Sequence, residues 1–225
     1  MEKISPDDQR LLAKVLNMPK HAATLYGIAK ATKKIPSGWK LTTAKVKLVT
    51  NESIELMVMT CRGDLCEMHN ASYPFRPPLK NLSELSKRID SIKSRVCAPR
   101  WYWLVTKPVA FVVLISCIML GYGSWVLEVD GMVDLFAQAP RLEAGIGTIF
   151  GSTTIFAYIV LASWYFAIFA HSAEAFWTLY HSNYILKLGD LASYQWFFMV
   201  LLVGFPVTSE FILMLRVAQA SSKEK

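Results

Sequence analysis

The residues of this chain best suited to chemistry lie in its apolar half. His171 and Glu174 stand three apart, and a continuing helix carries Thr178 and His181 round to the same face. Glu210 follows the kink-prone run Gly204-Phe205-Pro206. Ionisable side chains at membrane depth are costly, usually face the protein interior and often mark function. The spacing suits a His–Glu pair locking one helix to another. The same residue types also serve as a heme or metal ligand, or as an acid/base pair acting on a lipid. A metal site needs three or four ligands in geometry, and His-x-x-Glu supplies two. In the polar half, His21 and His69 are the ligand-binding candidates, since either type can hold heme iron axially. There is no GxGxxG, Walker A, GxSxG or HExxH, and we assign no catalytic residue and no metal.

The four cysteines contain no CxxC or CxH pair, which excludes a zinc pattern. Cys61 and Cys66 flank Arg62-Gly63-Asp64 and can face each other across a hairpin; a lumen would allow a bridge between them, whereas in the cytosol they should stay reduced. Cys97 lies just before an apolar run, where S-palmitoylation is an option beside a plain thiol. Asn51, Asn70 and Asn81 each begin an N-x-[ST] sequon, which read alone places this domain in the lumen; two fall in turns that favour Asn and Ser anyway, and the Lys/Arg asymmetry is the stronger warrant, so we expect them unglycosylated.

The elements that must position these residues divide the chain in two. Residues 1–107 carry 19 Lys and Arg against nine Asp and Glu, net +10; residues 108–225 carry five against eight, net −3. With 53% hydrophobic residues, disorder is excluded. Three stretches are long enough to span a bilayer, about 108–127, 146–173 and 191–214. Trp101, Tyr102 and Trp103, with Arg100 and Lys107, form an aromatic and basic membrane-interface linker over 98–107. The 128–143 loop is acidic, so the Lys/Arg asymmetry places the N-terminal domain in the cytosol. A third span would put the C-terminal tail on the other side, and Glu210 near the face opposite His171 and Glu174.

Residues 1–97 read as a small α+β domain. Ser5 caps a helix from Pro6 with an apolar stripe of Leu11, Leu12, Val15 and Leu16. A second helix from Pro19 carries Ala22, Leu25, Ile28 and Ala29 and ends at Pro36-Ser37-Gly38. Period-two patterns at 41–49, 54–60 and 65–73 predict a three-strand meander, and Ser83–Arg95 a last helix with Leu82, Leu85, Ile89 and Ile92 on one face. The fold class is α+β followed by an all-α membrane domain over 108–225.

The run Tyr73-Pro74-Phe75-Arg76-Pro77-Pro78-Leu79-Lys80, after a meander and before a helix, resembles a small domain that accompanies split-barrel heme-degrading and pyridoxamine-phosphate-oxidase-like proteins. That family's His-Met-Asn-x-Asp-His motif survives here as Asn17 and His21 within Leu16-Asn17-Met18-Pro19-Lys20-His21. The split barrel itself is missing, so no oxidoreductase activity carries over. His171-Ser172-Ala173-Glu174-Ala175, Trp196 and Gly204-Phe205-Pro206 are similar to small three-span eukaryotic membrane proteins. Fungal-type integral membrane proteins join the two segments in this order. The resemblance implies a multi-pass protein, in the endoplasmic reticulum, whose soluble domain is an appendage. We therefore expect a non-enzymatic membrane adaptor or accessory subunit, with membrane lipids and a membrane protein as partners and no nucleic acid. The alternatives are a heme or tetrapyrrole handler and a lipid-acting enzyme using His171 and Glu174.

Overall fold

Ser5 and Pro6 set the first element. In the computed structural model, which describes residues 4–32, 35, 38–81 and 83–223 (221–223 as backbone only), the Ser5 hydroxyl accepts from the Asp8 amide at 3.2 Å and α1 runs Pro6–Leu16. Ala13 and Leu16 face the core, whereas Leu11, expected in the stripe, is exposed. At 3.6 residues per turn Leu11 lies roughly 140° round from Leu16. After a single tight turn at Pro19–His21, α2 runs Ala22–Thr32 and buries every residue from Ala22 to Ala29. A helix buried all round needs small residues where neighbours come close. At Gly27 a Cβ would stand 2.7 Å from the Val96 side chain and 3.0 Å from its carbonyl oxygen.

The three strands are β1 (Lys40–Val49), β2 (Ser53–Arg62) and β3 (Leu65–Pro74), antiparallel in the order β1-β2-β3. Alternation along β2 turns Ile54, Leu56, Val58 and Thr60 inward. The β2–β3 turn falls at Arg62-Gly63-Asp64-Leu65, with Gly63 at φ +59°. The free edge of β1 is covered by a side chain: the Asn17 amide donates to the Val46 carbonyl at 3.0 Å and accepts from its N–H at 2.7 Å. Phe75 and Leu79, 3% and 1% exposed, bring the Tyr73–Lys80 run into the core, and their amides donate to the carbonyls of Glu52 and Asn51. The Arg76–Pro77 peptide is cis. Last, α3 (Glu84–Val96) buries Leu85, Ile89 and Ile92. The expected helix stop at Pro36-Ser37, the apolar Leu82, and Lys33, Lys34 and Lys225 lie outside the described residues.

Beyond a short turn, α4 (Trp103–Thr106), the chain is almost wholly helical. α5 (Pro108–Tyr122) passes through a widened turn at Gly123–Leu127 into α6 (Glu128–Ala137), giving 30 continuous helical residues. α7 covers Pro140–Phe150. α8 (Thr153–Tyr180) continues through a second widened turn, His181–Ile185, for 33 residues in all. These two helices are long and apolar enough to cross a membrane, and only 17% and 11% of their most apolar stretches is buried by protein.

Three expectations change here. The 128–143 segment is helical rather than a loop. The second apolar run breaks at Gly151, φ +88°, so its long helix is displaced towards the C-terminus and His171 and Glu174 lie inside α8 rather than at its end. The third run does not form one long helix. It divides at Gly204 into α9 (Asp190–Val203) and α10 (Phe205–Lys223). Fourteen residues reach about 21 Å, short of the roughly 30 Å hydrocarbon core. Gly204 sits at φ +58°, and Pro206 suits the first turn of a new helix while lacking the N–H to continue the old one.

Packing divides the chain into two units. The first gathers the described residues of Met1–Ala98, Tyr180–Gln195 and Glu210–Lys225; the second comprises Pro99–Leu179 and Trp196–Ser209. The chain thus leaves the first unit within α9 and re-enters it within α10.

Candidate functional site: the Gly204 bend

Within the second unit, His171 and Glu174 of α8 both face the bend between α9 and α10. A Cβ on Gly204 would stand 2.6 Å from both Cδ2 and Nε2 of His171 and 3.3 Å from a Glu174 carboxylate oxygen. The His171 Nδ1 lies 3.3 Å from the Leu201 carbonyl oxygen, at the C-terminal end of α9. Glu174 Oε2 accepts the Thr208 hydroxyl at 3.0 Å, in the first turn of α10. A helix carries partial negative charge at its C-terminus and partial positive charge at its N-terminus. Each side chain therefore meets the helix end that complements it, the ring at the open carbonyls and the carboxylate at the new N-terminus. The Thr208 hydroxyl is shared with the Gly204 carbonyl at 3.1 Å, so the bend is held from both sides.

Glu210 behaves differently from expectation. It belongs to the first unit and forms an ion pair with Lys30 of α2. Lys30 also lies 6.0 Å from the centre of the Tyr26 ring, and burial together with Glu210 pushes the Tyr26 hydroxyl up to about 12. His181, expected on the same face as His171 and Glu174, falls in the widened turn after α8 and in the first unit, its ring 5.3 Å from that of Tyr180.

The soluble-domain candidates stand apart from one another. His21 is half-buried in the Pro19–His21 turn, and burial with Lys20 and Lys93 nearby lowers its basicity. His69 on β3 lies 3.5 Å from Glu67. No group of three or more His, Cys, Asp or Glu placed to hold a metal occurs among the described residues.

At the linker, Trp101 and Tyr102 are exposed, Arg100 donates to the Tyr102 hydroxyl at 2.7 Å, and Lys107 sits 4.5 Å over the Trp103 ring. Trp103 in turn meets Trp196 edge to face at 6.2 Å.

Cys97 is 2% exposed, its thiol donates to the Ala23 carbonyl, and burial pushes it up to about 12; the position is closed to acylation in this fold. Strand register sets Cys61 opposite Cys66, and the structure joins them as a disulfide where a cytosolic domain is expected to hold two thiols. The side-chain oxygen of Asn81 accepts from Ser83 and from the Glu84 amide at the start of α3, and that of Asn51 accepts from the Ile4 amide.

Comparison of the chain with protein-family models, with curated proteins and with solved structures finds no match. The site residues that sequence alone misses are Thr208 and Lys30. Thr208 carries no signal beyond its place four residues after Gly204, and Lys30 is one of the 19 Lys and Arg of residues 1–107 with nothing to set it apart.

Proposed function

We propose that this protein is a membrane-embedded adaptor or accessory subunit that presents a basic α+β domain at the membrane surface. The observation that carries the reading is the use made of His171 and Glu174. Both are engaged with opposite sides of the Gly204 bend, which suits a pair that shapes the membrane segment. A ring packed edge-on against the Gly204 backbone has little room to approach a heme iron, and a carboxylate committed to Thr208 and a helix N-terminus is poorly set to move protons.

The exposed apolar faces of the Pro108–Ala137 and Thr153–Ile185 helices support burial in lipid, since water would not tolerate so continuous an apolar surface. We read these two as the spans. The third apolar segment is then a helical hairpin that starts and finishes with the N-terminal domain. Lys30–Glu210 supports that topology, and it leaves Arg216 on the same side as the basic domain. Arg95, Arg100 and Lys107, clustered just before the first span, favour the cytosolic side, in the endoplasmic reticulum membrane. The Cys61–Cys66 disulfide favours the reverse orientation, with this domain in the lumen. A glycosidase-induced gel shift at Asn51, Asn70 or Asn81 would decide for the lumen.

The test of the adaptor reading uses Glu174→Gln and Glu174→Ala in the full chain purified in mild detergent. The Gln amide oxygen still accepts from Thr208 but carries no charge at the helix N-terminus, so Glu174→Gln should lose clearly less of the unfolding temperature than Glu174→Ala, which loses several degrees. Titration with hemin should give no saturable Soret shift. A shift that disappears in His171→Ala or His21→Ala, or a lipid turnover abolished by Glu174→Gln, would replace the adaptor reading.

A further inference from the structure

On the outward face of the β2–β3 hairpin, four sulfur-bearing residues stand together. The register sets Met59 opposite Met68 and Cys61 opposite Cys66, with no shift between the two pairs. Residues two apart on a strand share a face, so all four belong to the side away from the buried Ile54, Leu56, Val58 and Thr60. Opposed Cβ atoms lie about 4.5–5.5 Å apart, and successive positions on one face about 6.6 Å apart. The three rotatable bonds of each Met let its thioether cover that distance. Met68 is 61% exposed and Cys66 is exposed, so the patch is open to a small ion. Glu67 and His69 of β3 register with Thr60 and Val58 and so belong to the other face. On β1, Lys40 registers with Cys61. Thr42 Oγ1 lies 3.3 Å from the Cys61 sulfur and donates to the Met59 carbonyl at 3.0 Å.

We propose that Met59, Cys61, Cys66 and Met68 form a site for one Cu(I) ion, held by two thiolates and two thioethers when the Cys61–Cys66 disulfide is reduced. Thiolate and thioether are soft donors that select Cu(I), whereas Zn(II) is served by thiolate, imidazole and carboxylate, and harder cations by oxygen. Lys40 supplies positive charge beside Cys61, which favours thiolate over thiol and offsets the negative charge of a bis-thiolate Cu(I) centre. Reduction takes two equivalents of a small thiol of the glutathione class. The first attacks one sulfur, the S–S bond breaks and a mixed disulfide forms; the second resolves it as an oxidised dimer, and the two thiol protons pass to the protein sulfurs. Binding then releases those two protons and leaves the metal as Cu(I). The disulfide-bonded hairpin is the closed form of the site, and a reducing compartment opens it. The inference goes beyond the adaptor reading and does not depend on it.

The full chain, purified in mild detergent, is reduced with dithiothreitol under argon, freed of reductant and titrated with the coloured Cu(I)–bicinchoninate complex, whose loss of absorbance counts transferred copper. One Cu(I) per chain in the reduced protein and none in the disulfide form is the expected result. Cys61→Ser/Cys66→Ser should abolish the transfer, which separates the hairpin from Cys97 and Cys117. Met59→Leu/Met68→Leu keeps both thiols and the size of the side chains on an outward face. It should leave the thiol count and the unfolding temperature unchanged while weakening Cu(I) by about tenfold or more. A reduced chain that takes no Cu(I), or transfer that survives the Cys double variant, overturns the proposal. Transfer indifferent to the Met double variant also overturns it, by reducing the centre to a thiol pair. Zn(II) taken up as tightly as Cu(I) overturns the soft-ion assignment.

Discussion

Lys30 in α2 and Glu210 in α10 form an ion pair across 180 residues of sequence. The pair gives the return of the chain a chemical anchor. An apolar helix that continued straight across a bilayer would carry Glu210 away from α2; a helix that turned at Gly204 brings it back. Lys30 is about one-third exposed, so solvent screens much of the attraction and the pair contributes on the order of 1 kcal/mol. Lys30→Glu and Glu210→Lys should each lower the unfolding temperature in detergent, and the double swap should recover most of the loss. A double variant no better than the single ones would remove the pair from the account.

Tyr26 makes the same contact sensitive to alkali. Its hydroxyl ordinarily titrates near 10 and is pushed up to about 12, first by burial and then by Glu210. A raised folded-state value favours the neutral form, so the associated stability is full below pH 10 and is lost as pH climbs towards 12. Unfolding followed between pH 9 and 12 should show that decline, and Tyr26→Phe should flatten it.

Gly204→Ala tests the bend. Alanine at φ +58° is strained, and its Cβ would lie 2.6 Å from the His171 ring. We expect a loss of about 2–3 kcal/mol or a failure to fold. His171→Ala/Gly204→Ala should recover the steric part of that loss while the backbone strain remains. Thermal unfolding of the two variants beside the unsubstituted protein reads both parts.

Thr60 offers a change in the other direction. Its hydroxyl is buried beside Val58 on the inward face of β2 and has no hydrogen-bond partner among the described residues. Thr60→Val keeps the shape and removes the unpaired oxygen, so the protein should gain up to about 1 kcal/mol. A fall in unfolding temperature would mean that the hydroxyl is satisfied by water.

The soluble domain was legible in the sequence because its signals are local. The period-two runs gave three strands within a residue or two of their ends, and Leu85, Ile89 and Ile92 marked the buried face of α3. The membrane half was legible as apolar length and less so as topology. Composition treats 191–214 as one run, whereas Gly204 ends one helix and lets another begin because it alone there adopts a positive φ without strain. Gly204-Phe205-Pro206 did mark a kink, but its direction is set by long-range partners that no spacing rule contains. Thr208 and Lys30 are such partners, 34 and 180 residues from the acids they meet.

The central claim is that the basic domain and the end of the chain share one face of the membrane. Single cysteines at Lys47, Ala139 and Arg216 in sealed microsomes, labelled with a membrane-impermeant maleimide, test it most directly. Background from the native cysteines is read from the unsubstituted protein. The account predicts that positions 47 and 216 label together and that position 139 labels only from the other side. Labelling of 47 and 216 from opposite sides would make the third apolar segment a span and contradict the account.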